Sequence, residues 1–216
     1  MAEAMNGMLG GVSGKVGPVI GVRWRGRYFW RSKARKSTKP FSEKQRIQQE
    51  KMALVSSFLA KIRGFINQYT PMRQGEKSLI NGTEQQSSFL LRHGIGYEGD
   101  RGYLQLNLVT VSIGTLPVAH IHKIQLTEDK QIKLEWEDNS YNSMTAESDL
   151  LSVVIFHNEE EEFQIYDTVG QRMDKIGLIT LKEQWTYGTI HIWTMWKNKE
   201  ETLNSTSLYH EEIALD

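Results

Sequence analysis

The 216-residue sequence contains no cysteine. That single absence removes disulfides, thiolate zinc sites, iron–sulfur clusters and cysteine nucleophiles, and leaves the redox compartment open. Proline is scarce at four residues, and 18 glycines with 39% hydrophobic residues fit a packed chain rather than a disordered one. No run approaches the ~18 consecutive apolar residues of a membrane-spanning helix. A secretory leader would need a basic segment and then ~7–15 apolar residues. Here Gly7, Gly10, Gly11, Gly14 and Gly17 interrupt every early run, and the basic residues come afterwards. The expectation is a chain with no membrane span, made without Sec export and cytoplasmic, with release by lysis or carriage in a virion as alternatives.

Acid is the next thing missing, but only locally. From Lys15 to Lys39 there are nine Lys or Arg residues, no Asp or Glu, and four aromatics. Over the whole chain the charge cancels, yet Met1–Gly75 carries 15 basic against 3 acidic residues, +12, and Glu76–Asp216 carries 11 against 23, −12. Such a division speaks to association rather than to fold. The basic part could meet nucleic acid, an anionic surface, or the acidic part of another copy.

Signatures of catalysis are also missing. No Gly-x-Ser-x-Gly elbow, His-Glu-x-x-His helix or dinucleotide Gly-x-Gly-x-x-Gly occurs. Ser13-Gly14-Lys15 resembles the end of a phosphate loop, but Leu9 stands where that motif needs its first glycine and Val16 where it needs Ser or Thr. His120 and His122 would share one face of a strand without a third ligand at characteristic spacing. Glu159–Glu162 lacks calcium-loop spacing and reads as solvated charge at a hairpin tip. The expectation is a protein that is not an enzyme and binds neither metal nor cofactor.

Among the features that are present, the stretch from Val22 to Arg31 alternates with period two, the signature of a strand. The alternation puts Val22, Trp24, Gly26, Tyr28 and Trp30 on a packed side and Arg23, Arg25, Arg27, Phe29 and Arg31 on the other, with Gly26 marking a turn or bulge that makes the stretch a short hairpin. Ser42, with Gln45 three residues on and Pro40 upstream, opens a helix with a capping box. Ile47, Leu54, Val55, Phe58, Leu59, Ile62 and Ile66 then recur at three- and four-residue steps, so the helix should run to about Asn67, before Thr70-Pro71. A short helix is expected at Ser87–Arg92, and a strand from Tyr103 that continues through Ile113.

Beyond Pro117 come seven short strands at regular spacing: 121–127, 131–137, 150–157, 162–168, 175–181, 188–196 and 205–215. That pattern predicts a two-sheet sandwich with Trp136 at its centre. The fold class expected is therefore α+β. It comprises a glycine-rich arm over 1–22, a basic β-hairpin with a long amphipathic helix and connecting strand over 23–116, and an immunoglobulin- or fibronectin-like sandwich over 117–216. Arg23, Trp24, Arg25, Arg27, Tyr28, Arg31, Lys33, Arg35, Lys36 and Lys39 are the residues expected to bind a partner. The partner expected is another copy of the chain or another structural protein. Interleaved Arg and aromatics also suit single-stranded nucleic acid. A sandwich that binds glycans through Trp193 or Trp196 is a third reading.

Three segments carry a resemblance: Gly7-Met-Leu-Gly-Gly-Val-Ser-Gly-Lys-Val-Gly17, Trp24-x-Gly26-x-Tyr28-x-x-Arg31, and Lys36-x-x-Lys39-Pro40-x-Ser42-x-x-Gln45-x-x-Gln48. Together they resemble a bacterial family of unknown function, and Leu134-Glu-Trp-Glu-Asp-Asn-Ser140 is similar to its recurring Trp-x-Asp-Asn-Ser stretch. The family-typical proline near position 34 is replaced by Lys33-Ala34-Arg35. The resemblance implies an N-terminal arm and helix followed by a C-terminal sandwich, and no established activity. The basic segment leading into a glutamine-rich capped helix is also similar to segments of phage-associated structural proteins.

Overall fold

The computed structural model describes every residue except 1, 2, 5–10, 25, 26, 36–38, 76, 77, 128, 142 and 216. The chain forms two compact units, 1–46 with 76–78, and 47–75 with 79–216. These divisions differ from the boundaries expected at 22 and 116.

The first unit is a four-stranded antiparallel sheet in chain order: β1 (Glu3–Ala4), β2 (Val12–Val16), β3 (Val19–Trp24) and β4 (Arg27–Ser32). The described part of the glycine-rich arm thus forms strands, and β3 runs straight through residue 22. Glycine permits this in two ways. Gly17 opens the two-residue turn between β2 and β3 at φ +55°, in the left-handed region that favours it. At Gly21 a Cβ would strike the carbonyl of Val12 on β2, so only glycine lets the two strands approach. Ser13, Gly14 and Lys15 lie inside β2, with no loop-to-helix transition to cradle a phosphate.

Helix α1 (Glu43–Tyr69) begins where the capping box places it. The Ser42 amide donates to Gln45 Oε1 at 2.9 Å, and the Gln45 amide donates to Ser42 Oγ at 3.4 Å. Val55, Phe58, Leu59, Ile62, Phe65, Ile66 and Tyr69 form its buried stripe, whereas Ile47, expected on that stripe, is 40% exposed. Helix α2 (Gly82–His93) is longer than expected because Asn81 and Glu84 cap it reciprocally. Around α2 lie two minimal hairpins: β5 (Arg73–Gln74) with β6 (Leu79–Ile80), and β7 (Ile95–Glu98) with β8 (Arg101–Leu104). The strand expected through Ile113 ends at Leu104, and a 3-10 turn follows at Leu106–Leu108. Its leucines are drawn into the cluster around α1, while Ile113 and Val111 donate to Tyr69 O and Ser207 Oγ rather than to a neighbouring strand.

The sandwich contains β9 (Ile121–Leu126), β10 (Gln131–Trp136), β11 (Leu150–His157), β12 (Glu162–Gln171), β13 (Ile176–Thr180), β14 (Gly188–Lys197) and β15 (Leu208–Leu215). One sheet has the order β13-β10-β9, the other β12-β11-β14-β15. Its fourth strand joins the sheet of the third, sixth and seventh, unlike the constant-type immunoglobulin arrangement in which it joins the first sheet. The core between the sheets gathers around Trp136, whose ring meets Trp196 edge-on at 5.9 Å and whose Nε1 donates to Arg172 O at 3.0 Å. That ring fits because Gly170 and Gly177 beside it carry no side chain. The outer face of β11 and β14 is covered too. Val154, Phe156, Trp193 and Met195 pack against the buried stripe of α1 in a second apolar cluster.

Candidate functional site

The expected partner-binding residues lie on the first unit, and its register decides which of them share a face. Across the hairpin Trp24 pairs with Arg27, Val22 with Phe29 and Ile20 with Arg31; on the opposite face Arg23 pairs with Tyr28 and Gly21 with Trp30. The expected division into an aromatic and an arginine side therefore fails. A two-residue connection between strands inverts the odd-even count, so Tyr28 and Trp30 change sides relative to Trp24. Each face carries both guanidinium and aromatic groups. Trp24 and Phe29 lie 6.3 Å apart, and the Arg23 guanidinium lies 5.8 Å from the Tyr28 ring.

Neither face packs as expected. Trp24 is 50%, Phe29 45% and Trp30 55% exposed, and all six residues of β4 are exposed. Among the described residues of this unit no apolar side chain is buried; Gly21 alone is. β4 is an edge strand, hydrogen-bonded to β3 on one side only. Lys33, whose amide donates to Pro18 O at 2.8 Å, continues the basic run with Arg35 and Lys39, all three exposed. Arg25 and Lys36 lie outside the described residues. Phe29, assigned by alternation to the arginine side and left out of the expected binding residues, shares a face with Trp24.

A second feature had no sequence signal. In the second unit, the helix side of the four-stranded sheet is left open beside α1 and the segment after β8, forming a hollow of about 910 Å³. Phe58 and Lys61 of α1, Tyr103 of β8, and His191, Tyr209 and Glu212 of the sheet line it. The sheet slips register between the His191–Glu212 and Trp193–Tyr209 pairs, which brings Tyr209 and Glu212 to the same face. His191 Nδ1 and the Tyr209 hydroxyl are 3.0 Å apart and their rings stack. Burial pushes the His191 pKa down, partly opposed by Glu212 and Glu159, and pushes that of Tyr209 up. An adjoining groove between α1 and the β7–β8 hairpin is lined by Glu50, Tyr97, Glu98 and Asp100, with Lys51 and Arg101 among them. Lys61 is paired with Glu161 at 2.6 Å, whereas Glu50, Glu98, Asp100 and Glu212 form no ion pair with a described residue.

The remaining candidates are placed elsewhere. His122 lies 3.9 Å from Glu137 on an exposed edge, and His120 precedes β9. The acidic turn is engaged by its own chain: Glu159 accepts from the Thr189 amide at 2.8 Å, and Glu162 pairs with Lys182 at 2.8 Å. Trp193 and Trp196 are wholly buried, which corrects the glycan reading built on them. Trp193 donates to Val109 O at 2.9 Å, and Trp196 lies under the Arg172 guanidinium at 4.4 Å. No helix among the described residues is long and apolar enough to cross a membrane.

These features define an α+β protein with a seven-stranded, two-sheet sandwich and a separate basic, aromatic four-stranded sheet. The chain belongs to DUF6266, a family of unknown function whose model matches residues 11–210, nearly the whole length. No curated protein matches it.

Proposed function

We propose that the protein is a non-enzymatic structural or assembly protein that associates, in the first place with further copies of itself, through its basic N-terminal sheet. One observation carries this reading: the first unit buries no apolar side chain among its described residues while it holds Trp24, Phe29 and Trp30 half in water. Sheets gain independent stability by burying an apolar face. Exposed apolar area rimmed by charge, beside an unpaired strand edge, is the composition of a surface that another molecule covers. The opposed charges, +12 before Glu76 and −12 after, supply a matching surface on a second copy. Assembly of this kind suits a cytoplasmic scaffold or a virion component.

Light scattering on the size-exclusion peak tests the reading, comparing the full chain with a Trp24→Ser/Trp30→Ser variant. The expected result is a multiple of 24.9 kDa for the wild type and a single chain for the variant. A wild type that stays at one chain mass at every concentration overturns it. A second reading, single-stranded nucleic acid, draws on the mixing of Arg and aromatic groups on both faces. It requires binding whose affinity falls steeply between about 50 and 200 mM salt.

A further inference from the structure

We infer that the hollow beside α1, with its adjoining acidic groove, is the seat for the β3–β4 hairpin of a second copy of this chain. The inference rests on the assembly reading and names the surface that reading leaves open. Three observations point to the pairing.

The first is charge. Arg23, Arg27 and Arg31 form no ion pair with a described residue, and neither do Glu50, Glu98, Asp100 and Glu212 along the hollow and groove. The lining also holds Lys51, Lys61 and Arg101, so with Glu161 it has five carboxylates against three cations, a net surplus of acid, whereas the hairpin carries guanidiniums and no carboxylate. Desolvating either alone would be costly, whereas bringing them together gives charge-assisted hydrogen bonds of the bidentate guanidinium–carboxylate kind. The second is shape and chemistry. A hollow of about 910 Å³ is at the upper end of pockets that enclose a ligand, so it has room for several aromatic and guanidinium side chains at once. Tyr97, with the Lys51 ammonium 5.5 Å from its ring centroid, and Tyr103, packed on Gly96, each keep about half their surface exposed at its borders, where Trp or Arg could stack. The third is the floor. His191 is 7% exposed, and its ring, stacked on Tyr209, presents a flat and largely desolvated surface. Aromatic and arginine anchors seated in such pockets are the residues that carry binding energy in protein interfaces.

Because hairpin and seat are different surfaces, the contact either repeats head-to-tail into a ring or filament or is made twice, reciprocally, in a two-fold pair. A direct β4–β4 pairing is disfavoured. A two-fold antiparallel pairing of β4 with itself puts Arg27 opposite Arg31 or Phe29 opposite Arg31, with Arg27 against Lys33 in the latter case.

Complementary charge reversal tests the inference. One variant carries Asp100→Lys and Glu212→Lys, the other Arg27→Glu and Arg31→Glu. All four positions are exposed, so unchanged urea midpoints are expected and serve as the folding control. Sedimentation velocity should show each variant alone dissociating at about tenfold or more higher concentration than the wild type. An equimolar mixture should regain assembly, because each variant then offers the charge the other needs. If both reversals weaken assembly but the mixture does not recover, the two surfaces do not meet and the inference falls. If the Asp100/Glu212 variant assembles like the wild type while Trp24→Ser/Trp30→Ser does not, the seat is wrong and the assembly reading survives. A wild type that never assembles overturns both.

Discussion

The six tryptophans divide between the two units, and the two sets sit in opposite surroundings. Trp136, Trp185, Trp193 and Trp196 of the sandwich are each at most 2% exposed, whereas Trp24 and Trp30 of the N-terminal sheet are half exposed. The same side chain is core in one unit and surface in the other. In the sandwich the central strands β11 and β14 are covered on both faces, by the second sheet on one side and by α1 on the other. The N-terminal sheet has neither layer among its own described residues. A sheet with a layer on each side closes its own core, and the assembly proposed above would supply the layer that the N-terminal sheet lacks.

Substitutions of equivalent chemistry in the two units should separate this contrast most sharply. Trp136→Ala empties the centre of the sandwich and strands the Arg172 carbonyl, so urea unfolding should show a loss of about 3–5 kcal/mol. Next comes the buried ion pair. Arg172 and Asp149 are 0% and 2% exposed and 3.0 Å apart, and Arg172 also donates to Asn139. Asp149→Ala leaves that guanidinium buried without its countercharge, at a cost of about 3 kcal/mol. Replacing both partners together by Leu and Met should recover most of the loss in the same assay.

Acid should act on the sandwich through the imidazoles of His210, which is partly buried, and His191, which is buried. Burial pushes the His210 pKa down to about 4, with Nε2 2.7 Å from Thr194 Oγ1, and His191 is lowered as well. In the unfolded chain these groups titrate near 6.5. The unfolded state therefore binds more protons between those values, so stability is complete above about pH 6.5 and declines as pH falls toward 4. His210→Gln should flatten that part of the profile in thermal melts across pH. The smallest effect belongs to Trp30→Ala, expected to move the urea midpoint of the sandwich by less than about 0.5 kcal/mol while it abolishes assembly. A loss comparable to that of Trp136→Ala would mean that the N-terminal sheet packs a core of its own, and the contrast would vanish.

Much of the sandwich was legible because its strands are half-buried and bounded by turns. Gln131–Trp136 alternates strictly, and its ends in the structure fall within a residue of the expected ones. The helix α1 was legible from Ser42, Gln45 and its apolar spacing. What the pattern carried but did not declare was the docking of α1. Leu150–His157 and Ile190–Trp196 are nearly continuous in burial because both faces are covered, the usual reading of a doubly covered strand. Elsewhere periodicity misled. Leu104, Leu106 and Leu108 alternate, yet after Leu104 the chain turns to feed the cluster under α1. In the N-terminal sheet composition identified Arg23, Trp24, Tyr28 and Arg31, but their faces depend on a two-residue connection that inverts parity. The hollow at His191, Tyr209 and Glu212 was invisible because it depends on a register slip and on residues far apart in sequence.

Hydrogen–deuterium exchange of the intact chain, followed at high and at low protein concentration, tests the dependence of the N-terminal sheet on a second copy most directly. The account predicts that the amides of β3 and β4 lose protection on dilution while those of β11 and β14 keep theirs. Protection of β3 and β4 that is equally high at both concentrations would contradict it.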